Sequence, residues 1–325
     1  MKNKKIRLRA TAALCLMATI LSGGCGGGKD MSGDSISKEE TSSVEKICAA
    51  KVIVISGQSN ASGFTWSKCL KNNVSEEAYR KYEEGFGNAM IYYNVDTAEE
   101  NGYSWKDGGD NTSGGEFVNV KLGQGHTAER FGMEIGIAEK LAEIKPDEKL
   151  YLIKCAWGSA SLFNDFASPS MKNYPTSVYY DKFISVVKAG ISKLEEITDL
   201  PVEIKALCWM QGEKDAAYYS EASQYGPNLQ TFAGDFRSEF SAYKGRGEIA
   251  FIDAEISEGE YCAYGEYVNQ HKAWFAEKSD DNYLLSTQGF SYGKEPEEKP
   301  DPYHFDSLSM LRLGYRFAEV IAKLL

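Results

Sequence analysis

Val52-Ile53-Val54-Ile55-Ser56-Gly57-Gln58-Ser59-Asn60 is an apolar, β-branched run that ends abruptly in a small-residue turn. A run of this kind reads as a buried parallel strand, and the turn after it lifts one side chain, Ser59, above the carboxyl edge of the sheet. A serine there is a weak nucleophile unless a base takes its proton. The chain has only three histidines. One of them, His304, stands in Asp301-Pro302-Tyr303-His304, three residues after a carboxylate. Each feature has a plainer reading alone, since serine is a common turn and capping residue and Asp-x-x-His is commonly a solvated loop. Their joint presence points to a nucleophile, a base and an orienting acid.

Five further apolar runs follow the first: Ala89 to Tyr93, Leu150 to Cys155, Val202 to Cys208, Ile249 to Ile252 and Tyr283 to Ser286. Between and after them lie segments of helical period, Glu129 to Ile144, Ser177 to Ile197, Leu229 to Tyr243, Val268 to Lys278 and Leu308 to Leu325. Strands alternating with helices predict βαβ units, hence a parallel sheet covered on both faces. Ligands bind such sheets at the carboxyl ends of the strands, so the segments after them carry the chemistry. Leu150 to Cys155 is followed by Ala156-Trp157-Gly158-Ser159-Ala160-Ser161, and Val202 to Cys208 by Trp209-Met210-Gln211-Gly212-Glu213-Lys214-Asp215. Three polar, glycine-containing turns thus converge on one edge.

The ends of the chain supply an address. Met1 to Arg9 carries Lys2, Lys4, Lys5, Arg7 and Arg9, then comes apolar Ala10 to Leu21, then Ser22-Gly23-Gly24-Cys25. This is the order of an export signal, too short in its apolar part to span a membrane. Cys25 after small residues resembles a lipobox, with Leu21 four residues before the cysteine rather than three; the plainer alternative is a secretory signal with an incidental cysteine. Residues 26–46 are Gly-, Ser-, Lys-, Asp- and Glu-rich, the composition of a flexible tether. Residues 47–325 show no second linker and no repeat, which predicts one large domain. A formal net charge of −11 argues against nucleic acid as a partner.

Of seven cysteines, Cys15 and Cys25 fall in the signal segment, leaving Cys48, Cys69, Cys155, Cys208 and Cys262. Cys155 and Cys208 end apolar runs and read as buried residues, while a Cys48–Cys69 bridge across the Ser59 loop stays open. No Cys-x-x-Cys or His-x-x-His spacing exists, so neither a metal nor another cofactor is expected. His126 and His271 lack a carboxylate at the Asp301 spacing and read as surface or helix-flanking residues. The segments 64–93 and 103–126 are the expected pocket walls. Trp66, Tyr92, Trp105 and Trp157 are either sugar-stacking or core residues.

Taken together, Gly57-Gln58-Ser59-Asn60, Trp209-Met210-Gln211-Gly212-Glu213-Lys214-Asp215, Phe131-Gly132-Met133-Glu134-Ile135-Gly136-Ile137-Ala138, and Asp301-x-x-His304 with Leu313-Gly314-Tyr315-Arg316 resemble the SGNH hydrolases. Within them the match is to carbohydrate acetylesterases, a group that includes sialate O-acetylesterases and acetylxylan esterases. The resemblance implies a flavodoxin-like, three-layer α/β/α sandwich with Ser59 as nucleophile, His304 as base and Asp301 as its acid. It also implies an oxyanion hole from the Ser59 N–H, Gly158 and the Gln211 amide. Gln58, Asn60 and Glu213 are the expected substrate-binding residues, with Glu213 equally able to bridge two turns. Relatives commonly have Gly-Gly-Thr-Ser where this chain has Gly158-Ser159-Ala160-Ser161, and proline at Met133. The expected partners are an acetylated glycan and, through Cys25, a membrane. The sequence alternatives are a non-catalytic carbohydrate-binding lipoprotein and a broad SGNH lipase or arylesterase.

Overall fold

The fold is built outward from Ala50–Gly57 (β1), whose residues Val52 to Ile55 are completely buried. The computed structural model describes residues 49–95, 111–259, 262–293 and 301–325. The further strands are Thr65–Trp66 (β2), Phe86–Val95 (β3), Asn111–Thr112 (β4), Val118–Val120 (β5), Arg130–Phe131 (β6), Leu150–Ala156 (β7), Val202–Met210 (β8), Ala250–Ala254 (β9) and Asn282–Leu285 (β10). The main sheet runs β10-β9-β8-β1-β7-β3-β4, with β5 also paired to β3. β1 lies between β7 and β8, parallel to both, with Gly57 opposite Ala156 on one side and Met210 on the other. Three strand ends therefore open side by side at the point where the strand order reverses, the place where such sheets bind ligands.

The sheet is mixed, where the sequence pattern predicted a parallel one. β4 and β5 pair antiparallel to β3. They cover a strand that would otherwise present an unpaired edge, a common way of managing sheet ends.

The helices are Ser59–Ser62 (α1), Ser67–Lys71 (α2), Glu76–Glu84 (α3), Glu134–Ile144 (α4), Tyr180–Ile197 (α5), Tyr219–Ala222 (α6), Tyr225–Glu239 (α7), Gly265–Ala276 (α8) and Ser307–Leu324 (α9). They flank the sheet in two groups. α4 packs on α9 so closely that a Cβ on Gly136 would meet the Leu311 carbonyl oxygen at 2.3 Å, and one on Gly314 would meet that of Met133 at 2.4 Å. In the other group Phe183 of α5 stacks on Phe232 and Phe236 of α7, and Trp209 of β8 meets Phe232 at 4.7 Å between ring centroids. Trp157 is buried and stacks on Tyr179 at 4.9 Å, so it belongs to the core.

Two helices begin a full turn or more from where their periodicity suggests. α4 starts at Glu134 rather than Glu129 because Arg130 and Phe131 are extended, pairing antiparallel with Trp66 and Thr65. α7 starts at Tyr225, ahead of Leu229, and its last turn tightens into a 3₁₀ segment at Ser241–Tyr243. The signal segment with Cys25, the tether, Cys48 and Trp105 lie outside the described residues, as do residues 103–110 of the wall expected over 103–126. Cys69, Cys155, Cys208 and Cys262 are all buried.

Candidate functional site

Gly57 makes the turn at the end of β1 with φ +136°, and a Cβ there would lie 2.1 Å from the Met210 carbonyl oxygen. Only glycine lets the two strand ends come this close. Gln58 N–H then donates to that same oxygen at 2.9 Å, and Ser59 opens the one-turn helix α1. The result is a serine held at the sheet edge by its own backbone. A cavity of about 330 Å³ lies there, with Ser59, Phe64, His126, Gly158, Glu213 and His304 in its wall.

His304 reaches this cavity from the other end of the chain. Its Nδ1 lies 2.6 Å from Asp301 Oδ2, while Asp301 Oδ1 accepts the Tyr303 and His304 amides, both at 3.1 Å. Burial pushes the Asp301 carboxyl up, but the hydrogen bond and charge of His304 outweigh it and hold the group below the usual carboxylate range. The imidazole also stacks on Phe64, 4.2 Å between centroids, and the Arg130 guanidinium lies 3.6 Å from the centre of the same Phe64 ring.

Asn60 fastens the two halves together. Its side-chain amide donates to Glu213 Oε1 at 2.8 Å and to the Tyr303 carbonyl at 3.0 Å, and its oxygen accepts Phe305 N–H at 3.2 Å. Thr65 Oγ1 adds a bond to the Phe305 carbonyl. Asn60 is 1% exposed and outside the cavity wall. The sequence reading expects a substrate contact here; in the structure the side chain straps the serine turn to the histidine loop.

The other turn residues divide in the same way. Gly158 lines the cavity, and a Cβ on it would meet nothing within 4 Å. Among the described residues neither the Ser59 nor the Gly158 amide donates to a protein acceptor. Beside Gly158, Ser159 has φ 57°, the one positive value for a non-glycine among the described residues. Such left-handed backbone at a site is held in place by its surroundings. Gln211, by contrast, is completely buried and outside the wall. Its Nε2 donates to Asp215 Oδ2 at 2.6 Å and the Ala160 carbonyl at 3.0 Å, and its Oε1 accepts the Tyr225 hydroxyl. Asp215 in turn accepts the Leu162 and Phe163 amides. Nε2 also lies 3.3 Å from Gln58 Oε1, so the Gln211 amide, which the resemblance implies for the oxyanion hole, ties the turns after β1, β7 and β8 to one another.

Gln58 sits at the cavity with its Oε1 accepting the amides of Gly212 and Lys214, both contacts long. Glu213 is also in the wall, yet its Oε2 is sealed from solvent without a partner. Burial raises its pKa, opposed by the Asn60 bond and the nearby Lys272 and His304.

His126 ends the expected wall 103–126 but reads from the sequence as a surface or helix-flanking residue. It is 5% exposed, in the cavity wall, and tilted against Phe64 at 4.9 Å. Its loop is fixed from two sides. His126 N–H donates to the Gly63 carbonyl at 2.9 Å, and Lys154 Nζ, fully buried on β7, donates to the Gln124 carbonyl and Glu134 Oε2, each at 2.8 Å. Burial and the surrounding cations Arg130, His304 and Lys154 push the imidazole down to about 4. His271, expected at the surface or flanking a helix, lies half-buried within α8.

The architecture recurs in known proteins. The family model described as "Carbohydrate esterase, sialic acid-specific acetylesterase" matches residues 49–323. The chain belongs to this family. It is therefore a carbohydrate esterase, with activity on acetylated sugars as the family's chemistry. No curated protein matches it. Among solved structures it is similar to a protein from Arabidopsis thaliana (17% identity, 85% of this chain and 99% of that one, TM-score 0.54). It is similar also to NanS (13% identity, 85% and 97%, TM-score 0.57) and to a carbohydrate acetylesterase from Xanthomonas citri (13% identity, 84% and 55%, TM-score 0.50). At these identities the likeness is one of fold.

Proposed function

We propose that the protein removes O-acetyl groups from xylan- or sialate-type glycans through an acetyl-Ser59 intermediate. One observation carries the reading: the His304–Asp301 pair, 2.6 Å apart, opens into the cavity that Ser59 lines. His304 Nε2 takes the Ser59 hydroxyl proton as Oγ bonds to the acetyl carbon, and Asp301 keeps the imidazole in the right tautomer and stabilises its charged form. The developing oxyanion is received by the Ser59 and Gly158 amides, which have no other protein acceptor among the described residues. The ester C–O bond then breaks, and His304 returns the proton to the leaving sugar hydroxyl. Water, deprotonated by His304, attacks the acetyl-enzyme and releases acetate and free Ser59.

In the same reading the signal segment ends at a lipidated Cys25, and residues 26–46 hold the esterase domain off a membrane surface on the outer side. The test is direct. Ser59→Ala should abolish acetate release from acetylated xylo-oligosaccharides, O-acetylated sialic acid and p-nitrophenyl acetate while melting like wild type. Rapid quenching of the wild type with p-nitrophenyl acetate should leave one acetyl group on the Ser59 peptide; an acetylated peptide elsewhere would refute the assignment.

A further inference from the structure

His126 has a geometry that neither the triad nor a packing role explains. Its ring closes part of the cavity wall beside Phe64. Nδ1 is sealed from solvent and has no hydrogen-bond partner. An N–H at that position would be a buried donor without an acceptor, costlier than a bare lone pair, so the proton of the neutral ring sits on Nε2. Nε2 is not among the sealed atoms that lack a partner, and among the described residues it makes no hydrogen bond, so it is the accessible nitrogen of a ring that lines the cavity. The imidazole is neutral at ordinary working pH, since burial and the neighbouring cations hold it down to about 4. A base is already present in His304 with its own carboxylate. His126 has no such carboxylate partner, and no role in proton transfer is left for it.

Building on the esterase reading above, we propose that His126 is a substrate-binding residue whose Nε2–H donates a hydrogen bond to an oxygen of the bound acetylated sugar. The surroundings fit a fixed donor rather than a flexible one. The His126 amide is tied to the Gly63 carbonyl, and Gly63 N–H is tied to the Ser59 carbonyl, so donor and serine share one short stretch of backbone hydrogen bonds. Lys154 and Glu134 hold the loop from beneath with bonds inside the core. A sugar whose ester carbon reaches Ser59 brings its ring oxygens against this wall. The donor discriminates by rejecting a sugar that offers no acceptor there, because the buried N–H would then be left unpaired.

The experiment compares His126→Phe, His126→Gln and His126→Asn in steady-state kinetics on xylose tetraacetate and 9-O-acetylated sialic acid. The phenyl ring keeps the wall and removes the donor; the glutamine amide reaches the place of Nε2; the asparagine amide falls short of it. The expected result for the better substrate is a KM raised about 5- to 20-fold in the Phe variant with kcat within about threefold, substantial recovery in Gln, and none in Asn. Should Phe fail to fold, the Gln–Asn contrast carries the same reading. An unchanged KM in Phe, a loss shared equally by Gln and Asn, or a fall in kcat at constant KM would each overturn the proposal. The esterase reading is judged separately, by wild-type turnover of p-nitrophenyl acetate. If the wild type lacks that turnover, calorimetric binding of the same two sugars to wild type and to the Phe variant still decides the role of His126.

Discussion

Replacing Asn60 by alanine separates the geometry of this site from its sequence reading. The wild-type side chain makes three hydrogen bonds at 2.8, 3.0 and 3.2 Å, to Glu213, to the Tyr303 carbonyl and from Phe305 N–H. Truncation would deprive two buried groups, the Glu213 carboxylate and Phe305 N–H, of this partner at about 1 to 3 kcal/mol each, or roughly 2 to 6 kcal/mol, and would free the part-buried Tyr303 carbonyl from it. Glu213 would suffer most, since its Oε2 already has no partner. The cheapest escape is movement of residues 301–305, and that displaces His304. A misplacement of about 1 Å at a reacting group costs on the order of 100-fold in rate. Asn60→Ala should therefore lower kcat by about 100-fold with KM changed less than about threefold, together with a lower melting temperature. Asn60→Asp should be no better, because it keeps the acceptor for Phe305 but sets a second carboxylate against Glu213. Steady-state acetate release and thermal melts on the two variants are sufficient. A raised KM with intact kcat would show that Asn60 touches the sugar and would refute the strap.

Gln211→Ala should lower the melting temperature and shift kcat by less than about tenfold, because its amide holds Asp215 and the Ala160 carbonyl rather than the reaction; a fall in kcat of about 100-fold without loss of stability would restore it to the oxyanion hole. Lys154→Met strands the Glu134 carboxylate in the core and should cost about 3 to 5 kcal/mol by urea unfolding, with part regained in Lys154→Met/Glu134→Leu; a cost below about 1 kcal/mol would contradict the burial seen here. His126 predicts a pH dependence. Its folded pKa, about 4, lies below the ordinary value of 6.5, so its contribution to stability is present above pH 6.5 and lost as pH falls toward 4. Urea unfolding should show roughly 2.5 kcal/mol of this loss between about pH 7.5 and 4.5, and His126→Gln should remove it; an identical slope in the variant would refute the assignment.

Most of the architecture was legible because it rests on short-range pattern. Each apolar run found in the sequence lies within or overlaps a strand of the main sheet, since burial forces apolar residues there, on both faces in β7 and β9 and on alternate residues in β3. The cavity positions of the Ser59 turn, Gly158 and Glu213 were also legible, because strand order brings three strand ends together whatever the loops do, whereas His304, in the loop before α9, was legible only from its spacing to Asp301. Antiparallel β4 and β5 were not. They are two and three residues long and carry no period to read. The late start of α4 escaped for a related reason: Arg130 and Phe131 are extended only because Trp66 and Thr65, more than sixty residues earlier, pair with them.

What the sequence leaves open at Asn60, Gln211 and His126 has one physical cause. Sequence identifies which side chains can do chemistry, but not where each one spends its hydrogen bonds. Asn60 and Gln211 are both amides in glycine-containing turns at the sheet edge, and both turn inward, one to tie the serine turn to the histidine loop and the other to tie two turns together. His126 errs in the opposite direction. It was set aside for lacking a nearby carboxylate, a criterion that finds a base but is blind to a neutral donor. What brings it to the cavity is Lys154, whose buried ammonium reaches the Gln124 carbonyl thirty residues earlier in the chain. A lysine fully buried in a central strand reads from sequence as an interruption of an apolar run, Leu150-Tyr151-Leu152-Ile153-Lys154-Cys155. Burying that charge is costly enough to need a matched carboxylate and carbonyl, and those partners set the loop that forms one wall of the site.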